Sequence, residues 1–294
     1  MKRTIGKLRG LQQCTSPRGT FTCLALDHRQ NLRKANPAFI NNADLARFKL
    51  DVTAALADLS TAVLLDPEVS AAQAIAAGAL PGKSAFVVAV ESTGYSGAPT
   101  ARQSQILTGW NVEKAKRMGA SMIKLLVYYH PDSPNARGME AFVRQVADEC
   151  THYDLSIMLE PLSYSLDAAK KLSSTEKRYV VTETARRLVS PSIDVLKSEF
   201  PLDIAEDSDE SAWSEACAEV STASSAPWIV LSAAVNFNIY LRQVEIACRA
   251  GASGAAAGRA IWQEAISMDR QPTPRNRLVN LPTLVGRARY RLTP

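Results

Sequence analysis

The segment from Ser121 to Glu160 reads SMIKLLVYYHPDSPNARGMEAFVRQVADECTHYDLSIMLE, and it decides the fold. Its first part, Ser121–Val127, is a short apolar run typical of a strand that is covered on both faces. Ala136–His152 then shows the apolar spacing of an amphipathic helix, and Ser156–Leu159 is a second short apolar run. Strand, helix and strand in this order predict a parallel βαβ unit.

The same alternation continues on both sides of this unit. Eight strand and helix repeats favour an α/β protein with a closed (β/α)8 barrel, or TIM barrel, over an open sheet. The other predicted strands are Phe21–Leu26, Ala62–Leu65, Ala85–Val90, Ile193–Leu196, Trp228–Leu231 and Gly254–Ala257. The other predicted helices are Asp44–Leu59, Thr175–Leu188, Glu210–Ser224 and Phe237–Ala250.

Length and composition fit one domain over residues 1–294. The chain is 46% hydrophobic and 21% charged, as an ordinary globular protein is. The stretch from about Gln271 onward is rich in Pro, Asn and Arg, which predicts an irregular C-terminal tail. The formal net charge is +5. Because the basic residues are scattered among acids, the excess favours small anionic substrates and argues against nucleic acid.

Cysteine usage and hydropathy indicate the compartment. The five cysteines are dispersed and form no CxxC pair, which is typical of reduced thiols. The basic stretch Met1–Thr20 lacks the apolar core of a secretory signal. No stretch approaches the ~20 apolar residues of a membrane span. We therefore expect a cytoplasmic protein that does not associate with membranes.

Ionisable side chains stand at the carboxyl end of nearly every predicted strand, where barrels carry their active sites. Packing explains them poorly, because a buried charge without a partner is costly. Alone, Asp27 also fits a cap of the following turn, and Lys124 also fits a buried pair with Glu160. Together they form a constellation suited to carbonyl chemistry. The strand ends carry Asp27, His28, Arg29, Glu91, Lys124, Glu160, Lys197, Ser232, Gly258 and Arg259.

Two lysines in this set predict an amine nucleophile. A lysine with a pKa of ~10.4 is almost wholly protonated at neutral pH, but a second cation nearby makes its neutral form accessible. We expect Lys124 and Lys197 to lie on neighbouring strands and to repel each other. A neutral amine attacks a ketone to give an iminium, which draws electrons from a breaking C–C bond. Glu160 can then move protons to and from substrate oxygens, and Asp27 can hold a hydroxyl or stabilise the iminium.

The loops after the last two strands predict a phosphate site. Barrels often bind phosphate there through backbone N–H groups at the start of a short helix. Ser232-Ala233-Ala234 and Gly258-Arg259 occupy these loops. Glycine lets the backbone approach an anion, and arginine adds a charge-assisted donor. The alternative is an ordinary helix N-terminus beside a surface arginine.

At this point the chain resembles the class I tagatose 1,6-bisphosphate aldolase family. That family includes sulfofructosephosphate aldolases and is related to deoxyribose-phosphate aldolases. The matching segments occur in family order and cover the chain from the first strand to the start of the last helix. They are Ala25–Arg29 ALDHR, Leu64–Glu68 LLDPE, Glu91–Tyr95 ESTGY, Ile123–Tyr129 IKLLVYY, Leu159–Tyr164 LEPLSY, Asp194–Pro201 DVLKSEFP, Val230–Val235 VLSAAV and Ala257–Trp262 AGRAIW.

The resemblance implies a Schiff-base aldolase that reversibly cleaves a phosphorylated ketose to dihydroxyacetone phosphate and a three-carbon aldehyde. It implies that Lys197 forms the Schiff base, that Glu160 is the acid/base, and that Asp27 and Lys124 line the reacting carbons. It also implies a homo-oligomer that needs no cofactor or metal. The implied phosphate site comprises Ser232, Ala233, Gly258 and Arg259, with Arg29 as a candidate contact to the far anion.

Three residues depart from the family pattern. His28 stands where relatives commonly have glutamine, Ser198 replaces an apolar residue, and Ala234 replaces a glycine of the phosphate loop. None of these changes removes a catalytic group, but they leave the substrate open. A substrate with a sulfonate in place of the phosphate on its aldehyde half requires a change only in the pocket that binds that anion.

Two other classes of function compete with the aldolase. A catalytically silent barrel that senses sugar phosphates needs the phosphate loop but can lose Lys197 or Glu160, and both are present. A metal-dependent aldolase needs a cluster of ligands. The three histidines, His28, His130 and His152, are widely separated and lack the spacing of a zinc site.

Overall fold

Eight parallel strands pair in chain order, and the last pairs with the first, in the computed structural model, which describes residues 3–266. The predicted (β/α)8 barrel is confirmed. The irregular tail predicted from Gln271 lies outside the described residues. The strands are β1 (Phe21–Ala25), β2 (Ala62–Leu65), β3 (Ala85–Ala89), β4 (Met122–Tyr128), β5 (Ser156–Leu162), β6 (Val195–Ser198), β7 (Trp228–Leu231) and β8 (Gly254–Ala257).

Helices follow the strands, and the long ones begin and end within two or three residues of the predicted bounds. Side-chain caps set several starts: Ser173 and Glu176 form a reciprocal capping box, and Asp209 accepts a hydrogen bond from the N–H of Ser211. The helices are α1 (Ile5–Cys14), α2 (Gln30–Ala35), α3 (Asn42–Leu56), α4 (Ala71–Ala76), α5 (Val112–Arg117), α6 (Ala136–His152), α7 (Ser174–Leu188), α8 (Glu210–Ala223), α9 (Phe237–Arg249) and α10 (Arg259–Trp262). None of those within residues 3–266 is long and apolar enough to cross a bilayer.

The two faces of each strand belong to two different cores. Because side chains alternate along a strand, every second residue points into the barrel and the others point outward. The outward residues join the large apolar layer between sheet and helices. The inward residues form a smaller cluster that includes Phe21, Cys23, Ala25, Leu64, Val87, Ala89, Met122, Met158, Val195, Ile229 and Ala256.

Helix α1 closes the amino-terminal end of the barrel. It buries Leu11 and Cys14 in the inner cluster. Gly10 permits the close approach, because a Cβ there would overlap the carbonyl oxygen of Ser121. The opposite end of the barrel carries no such plug within the described residues, and a cavity opens there.

Two strand predictions need correction where they bear on the site. β6 is Val195–Ser198, two residues later than the predicted Ile193–Leu196, because Ile193 instead closes a turn by donating its N–H to the carbonyl of Ser190. β5 extends to Leu162, three residues past the prediction, because its pairing with β4 continues through Tyr128. Lys197 and Glu160 therefore lie within strands.

Candidate active site

The inward face of the strands places five ionisable side chains at the carboxyl end of the barrel. Each one stands two residues after a member of the inner cluster, so it points inward one layer higher. Four of them are more than nine-tenths buried, and the side chain of Asp27 is 10% exposed. They are Asp27, Glu91, Lys124, Glu160 and Lys197.

Lys124 on β4 is held by three carboxylates. Its Nζ lies 2.8 Å from Oδ2 of Asp27, 2.7 Å from Oε1 of Glu91 and 3.0 Å from Oε2 of Glu160. Burial alone would lower the pKa of Lys124, but Asp27, Glu160 and Glu91 together raise that pKa well above its ordinary value. Lys124 is therefore held as an ammonium ion. The buried pair with Glu160 that the sequence allowed is present, and it is one of three such contacts.

Within the described part of the chain, Lys197 on β6 has one carboxylate contact. Its Nζ lies 2.9 Å from Oε2 of Glu160, the same oxygen that contacts Lys124. The prediction that the two lysines lie on neighbouring strands is wrong, because β5 runs between β4 and β6 and carries Glu160. An oxygen of Glu160 thus lies between the two amines, and the predicted direct repulsion between them is replaced by two attractive contacts.

The two lysines keep the neighbouring carboxylates ionised. Burial by itself would raise the pKa of Asp27 and of Glu160. Lys124 and Lys197 outweigh that effect and hold both pKa values below their ordinary range. Asp27 does not cap the following helix, whose N-cap is Arg29.

Glu91 was not among the predicted site residues, although it stands at the end of β3. Its Oε1 pairs with Lys124, and its Oε2 accepts a hydrogen bond from the N–H of Leu126 at 3.1 Å. The sequence pattern indicates its position, because every second residue of β3 points into the barrel and Glu91 follows Val87 and Ala89 in that series. Tyr128 and Glu199 also line the cavity and were not selected.

Arg29 is part of the wall of the cavity and is already engaged. Its guanidinium pairs with Glu68 and donates to the carbonyl of Glu91 at 2.9 Å. Glu68 follows β2, where Asp66 accepts from the N–H of Glu68 at 3.0 Å and pairs with the buried Lys49. The ion pair between Lys49 and Asp66 thus positions Glu68, which in turn pairs with Arg29 in the wall of the cavity.

The predicted phosphate residues meet at the ends of β7 and β8. Ser232 Oγ accepts a hydrogen bond from the N–H of Gly258 at 3.1 Å. Ala233 and Ala234 adopt φ of 43° and 61°, which is the left-handed region that favours glycine. Arg259 is half-buried, its Nε has no hydrogen-bond partner among residues 3–266, and burial lowers its pKa. The arrangement suits an anion.

His28 lies between the two halves of the site. Its ring meets Trp262 edge to face at 5.3 Å, and its Nδ1 is 3.8 Å from Oδ1 of Asp27. Burial lowers the pKa of His28 to about 4, with Asp27 opposing the shift and Arg259 adding to it. The imidazole is therefore neutral near pH 7.

These side chains surround one cavity of about 690 Å³. All nine predicted site residues line it, from Asp27 and Arg29 on one side to Arg259 on the other. Its volume suits a small phosphorylated sugar. Chemically, the cavity combines an amine, carboxylates that can carry protons, and an arginine whose Nε has no hydrogen-bond partner in the part of the chain that the structure describes.

Comparison with known sequences gives one consistent result. The sequence model of a family described as DeoC/LacD family aldolase matches residues 21–264. The chain is 30% identical to tagatose 1,6-diphosphate aldolase 2 of Enterococcus faecalis, over 90% of this chain and 85% of that protein. It is 28% identical to tagatose 1,6-diphosphate aldolase of Lactococcus lactis, over 89% of this chain and 86% of that protein.

Comparison with solved structures concerns the fold. An archaeal fructose 1,6-bisphosphate aldolase is 19% identical with a TM-score of 0.64, over 95% of this chain and 98% of that one. A fructose-bisphosphate aldolase from Plasmodium falciparum is 13% identical with a TM-score of 0.70, over 98% of this chain and 94% of that one. Both likenesses show a shared barrel.

Proposed function

Since the chain belongs to the DeoC/LacD family of aldolases, we propose that it is a class I aldolase that cleaves a ketose 1,6-bisphosphate through a Schiff base on Lys197. The products are dihydroxyacetone phosphate and a three-carbon aldehyde phosphate. The observation that carries the proposal is the contrast between the two lysines of the cavity. Lys124 contacts three carboxylates, whereas Lys197 contacts only Glu160 among residues 3–266.

In the proposed reaction, Glu160 takes a proton from Lys197 and so makes it a nucleophile. Its Oε2 lies 2.9 Å from Nζ, within reach of direct proton transfer. The neutral amine attacks the ketone carbon to give a carbinolamine. Glu160 returns the proton to the hydroxyl of the carbinolamine, water leaves, and an iminium remains. Lys124 stays charged throughout and keeps Glu160 acidic enough to return the proton.

The iminium then accepts the electrons of the C3–C4 bond. The C4 hydroxyl gives its proton to a carboxylate of the site, the C3–C4 bond breaks, and the aldehyde leaves. The resulting enamine takes a proton at C3, and water releases dihydroxyacetone phosphate from Lys197. Asp27 serves the reacting hydroxyls, since its Oδ1 is not used by Lys124.

The phosphate of the dihydroxyacetone half binds at Ser232, Ala233, Gly258 and Arg259. Support comes from Nε of Arg259, which has no hydrogen-bond partner in the described ranges, and from the hydrogen bond between Ser232 and Gly258. Arg29 stays a candidate for the far anion, although contact with a substrate has to compete with Glu68. A far sulfonate requires the same chemistry at Lys197.

We also infer a homo-oligomer that acts in the cytoplasm. The five cysteines are all buried and free, which supports a reducing compartment. Light scattering after size exclusion tests the oligomer, and a monomer at micromolar concentration would contradict it.

The experiment is a cleavage assay that detects dihydroxyacetone phosphate through coupled NADH oxidation. Tagatose 1,6-bisphosphate, fructose 1,6-bisphosphate and 6-deoxy-6-sulfofructose 1-phosphate are compared, because all three yield the same detected product. We expect cleavage of a bisphosphate by the wild type and none by Lys197→Met. The matched control is Lys7→Met, which removes a buried lysine at the other end of the barrel. No cleavage of any substrate by the folded wild type would contradict the proposal.

A further inference from the structure

A buried ion pair outside the cavity organises the turn after β2. Lys49 of α3 and Asp66 are both fully buried, and they pair with each other. Asp66 also accepts hydrogen bonds from the N–H groups of Glu68 and Val69, at 3.0 and 2.8 Å, and from Oγ of Ser70 at 2.6 Å. Because these bonds close the turn around one buried carboxylate, the backbone at Glu68 has little freedom.

The turn presents the carboxylate of Glu68 to Arg29. Among residues 3–266, Glu68 is the only carboxylate within ion-pair distance of Arg29. The side chain of Arg29 is 7% exposed, whereas that of Glu68 is 44% exposed. Burial alone would lower the pKa of Arg29, but the hydrogen bond to Glu68 and the nearby acidic charges raise that pKa above its ordinary value. The guanidinium is therefore a cation held where the turn after β2 places its partner.

Arg29 in turn contacts the backbone of Glu91. Its Nη2 donates to the carbonyl oxygen of Glu91 at 2.9 Å, and this hydrogen bond is buried. The carboxylate of the same residue lies 2.7 Å from Nζ of Lys124 and accepts from the N–H of Leu126 at 3.1 Å. Since the carbonyl and the carboxylate belong to one residue, a shift of the carbonyl also moves the carboxylate that Lys124 contacts.

The loss of the charge at Glu68 would redirect Arg29. The other acidic groups that act on Arg29 are Glu91 and Asp66, and each already pairs with a buried lysine. A buried cation that loses its counter-ion is costly, so the guanidinium would turn toward one of these carboxylates. At Glu91 it would compete directly with Lys124.

We propose that Glu68 is a positioning residue for the aldolase reaction, which acts on Lys124 through Arg29 and Glu91. The inference rests on the proposed function, because Lys124 contacts Glu160, the residue that carries protons in that reaction. Glu68 is not among the described residues that line the cavity. Its charge therefore affects the rate of cleavage and not the affinity for the substrate.

The first test compares kcat and KM of Glu68→Gln with those of the wild type in the cleavage assay. The amide keeps the size of the side chain and removes its charge. We expect kcat to fall by about tenfold, within the range for residues coupled in one network, and KM to change by less than about twofold. An unchanged kcat would overturn the proposal. A lower KM at constant kcat would also overturn it, since Glu68 would then compete with the substrate for Arg29.

The matched control is Glu210→Gln on the outer surface. The side chain of Glu210 is 45% exposed and pairs with Arg242, so its exposure and its partner resemble those of Glu68. We expect both kinetic constants to stay within about twofold of the wild type, as for an exposed ion pair. An equal loss of kcat in both variants would overturn the specific role of Glu68.

The second test asks whether the effect passes through Glu91. Glu68→Gln is compared in the wild type and in Glu91→Gln, and melting temperatures show that the variants are folded. In the second background we expect a further loss of less than about twofold, because the carboxylate through which Glu68 acts is already absent. An equal fold-change in both backgrounds would assign Glu68 a general structural role and overturn the proposal.

A crystal structure of Glu68→Gln gives an answer that does not depend on activity. We expect Arg29 to leave the carbonyl of Glu91, and Oε1 of Glu91 to move out of hydrogen-bond distance of Lys124. Unchanged contacts would overturn the positioning role and leave the aldolase intact. No cleavage of any ketose bisphosphate by the folded wild type would instead overturn the proposed function together with this inference.

Discussion

Both ends of the barrel bury lysine against carboxylate, but they do so in different ways. At the amino-terminal end, Lys7 of α1 donates to Oδ2 of Asp194 and to the carbonyl of Ser192, each at 3.0 Å, and Arg3 takes the other oxygen of Asp194 at 3.1 Å. Helix α1 covers this group. At the carboxyl-terminal end, Lys124 and Lys197 share Glu160 beside an open cavity.

The two ends differ in whether their buried polar atoms have partners. At the covered end, both oxygens of Asp194 and the amine of Lys7 have partners, so the group holds α1 against the sheet. At the open end, Lys197 has one ionic contact, and Nε of Arg259 has none among residues 3–266. Similar residues therefore hold α1 against the sheet at one end and, in the proposed function, act on a substrate at the other.

The largest effect is expected for Glu160→Gln at the open end. The amide keeps the shape but cannot carry protons to and from the substrate, so kcat should fall by about 10³-fold, within the range of lost acid–base catalysis. The cleavage assay measures this change. The control is Glu199→Gln, which also lines the cavity but whose Oε2 accepts from the N–H of Ser163; it should lower kcat far less. Equal losses for both carboxylates would remove the special role of Glu160.

The second effect is expected for Asp194→Ala at the covered end. Lys7 would stay buried without a carboxylate, which costs about 3–5 kcal/mol of unfolding free energy. Thermal and urea unfolding measure the loss. At 15 °C, kcat per folded molecule should stay within about twofold of the wild type. A tenfold fall in kcat with unchanged stability would erase the distinction between the two ends.

Much of this division was predictable from the sequence. Strand alternation indicated the barrel and sent Lys124, Glu160 and Lys197 to one end, because an inward position repeats every second residue. The same rule would have selected Glu91. The alternation rule does not predict distances between side chains on different strands. The pairing of Arg29 with Glu68 and the sharing of one oxygen of Glu160 by two lysines depend on how neighbouring strands are staggered.

The covered end was less visible in the sequence. Lys7 and Asp194 are 187 residues apart, and nothing local links them. α1 lies before the first repeat and has no counterpart in the strand and helix rhythm. The start of β6 was also misjudged, because Ile193 fits a strand equally well by residue type and only its turn hydrogen bond excludes it.

A third prediction concerns Arg259→Met. Losing a charged donor should raise KM for the bisphosphate by about 10- to 100-fold and leave stability unchanged, since Nε makes no hydrogen bond within the described residues. Steady-state kinetics and melting temperature are compared, with exposed Arg18→Met as the control. A large loss of stability without a change in KM would assign Arg259 to the structure of the barrel.

The smallest effect is expected for Ala234→Gly. The wild-type residue has φ of 61°, and relief of this left-handed conformation should raise stability by up to about 1 kcal/mol. Urea unfolding measures the gain. Glycine at Ala98, outside the phosphate loop, is the control. A loss of stability in Ala234→Gly would contradict strain at this position.

The most direct test of the contrast between the lysines is a map of the borohydride adduct. The protein is incubated with dihydroxyacetone phosphate, reduced, digested and sequenced by mass spectrometry. We expect the adduct on Lys197 and none on Lys124, because three carboxylates fix Lys124 as a cation. An adduct on Lys124, or on no lysine of the folded protein, would contradict the account.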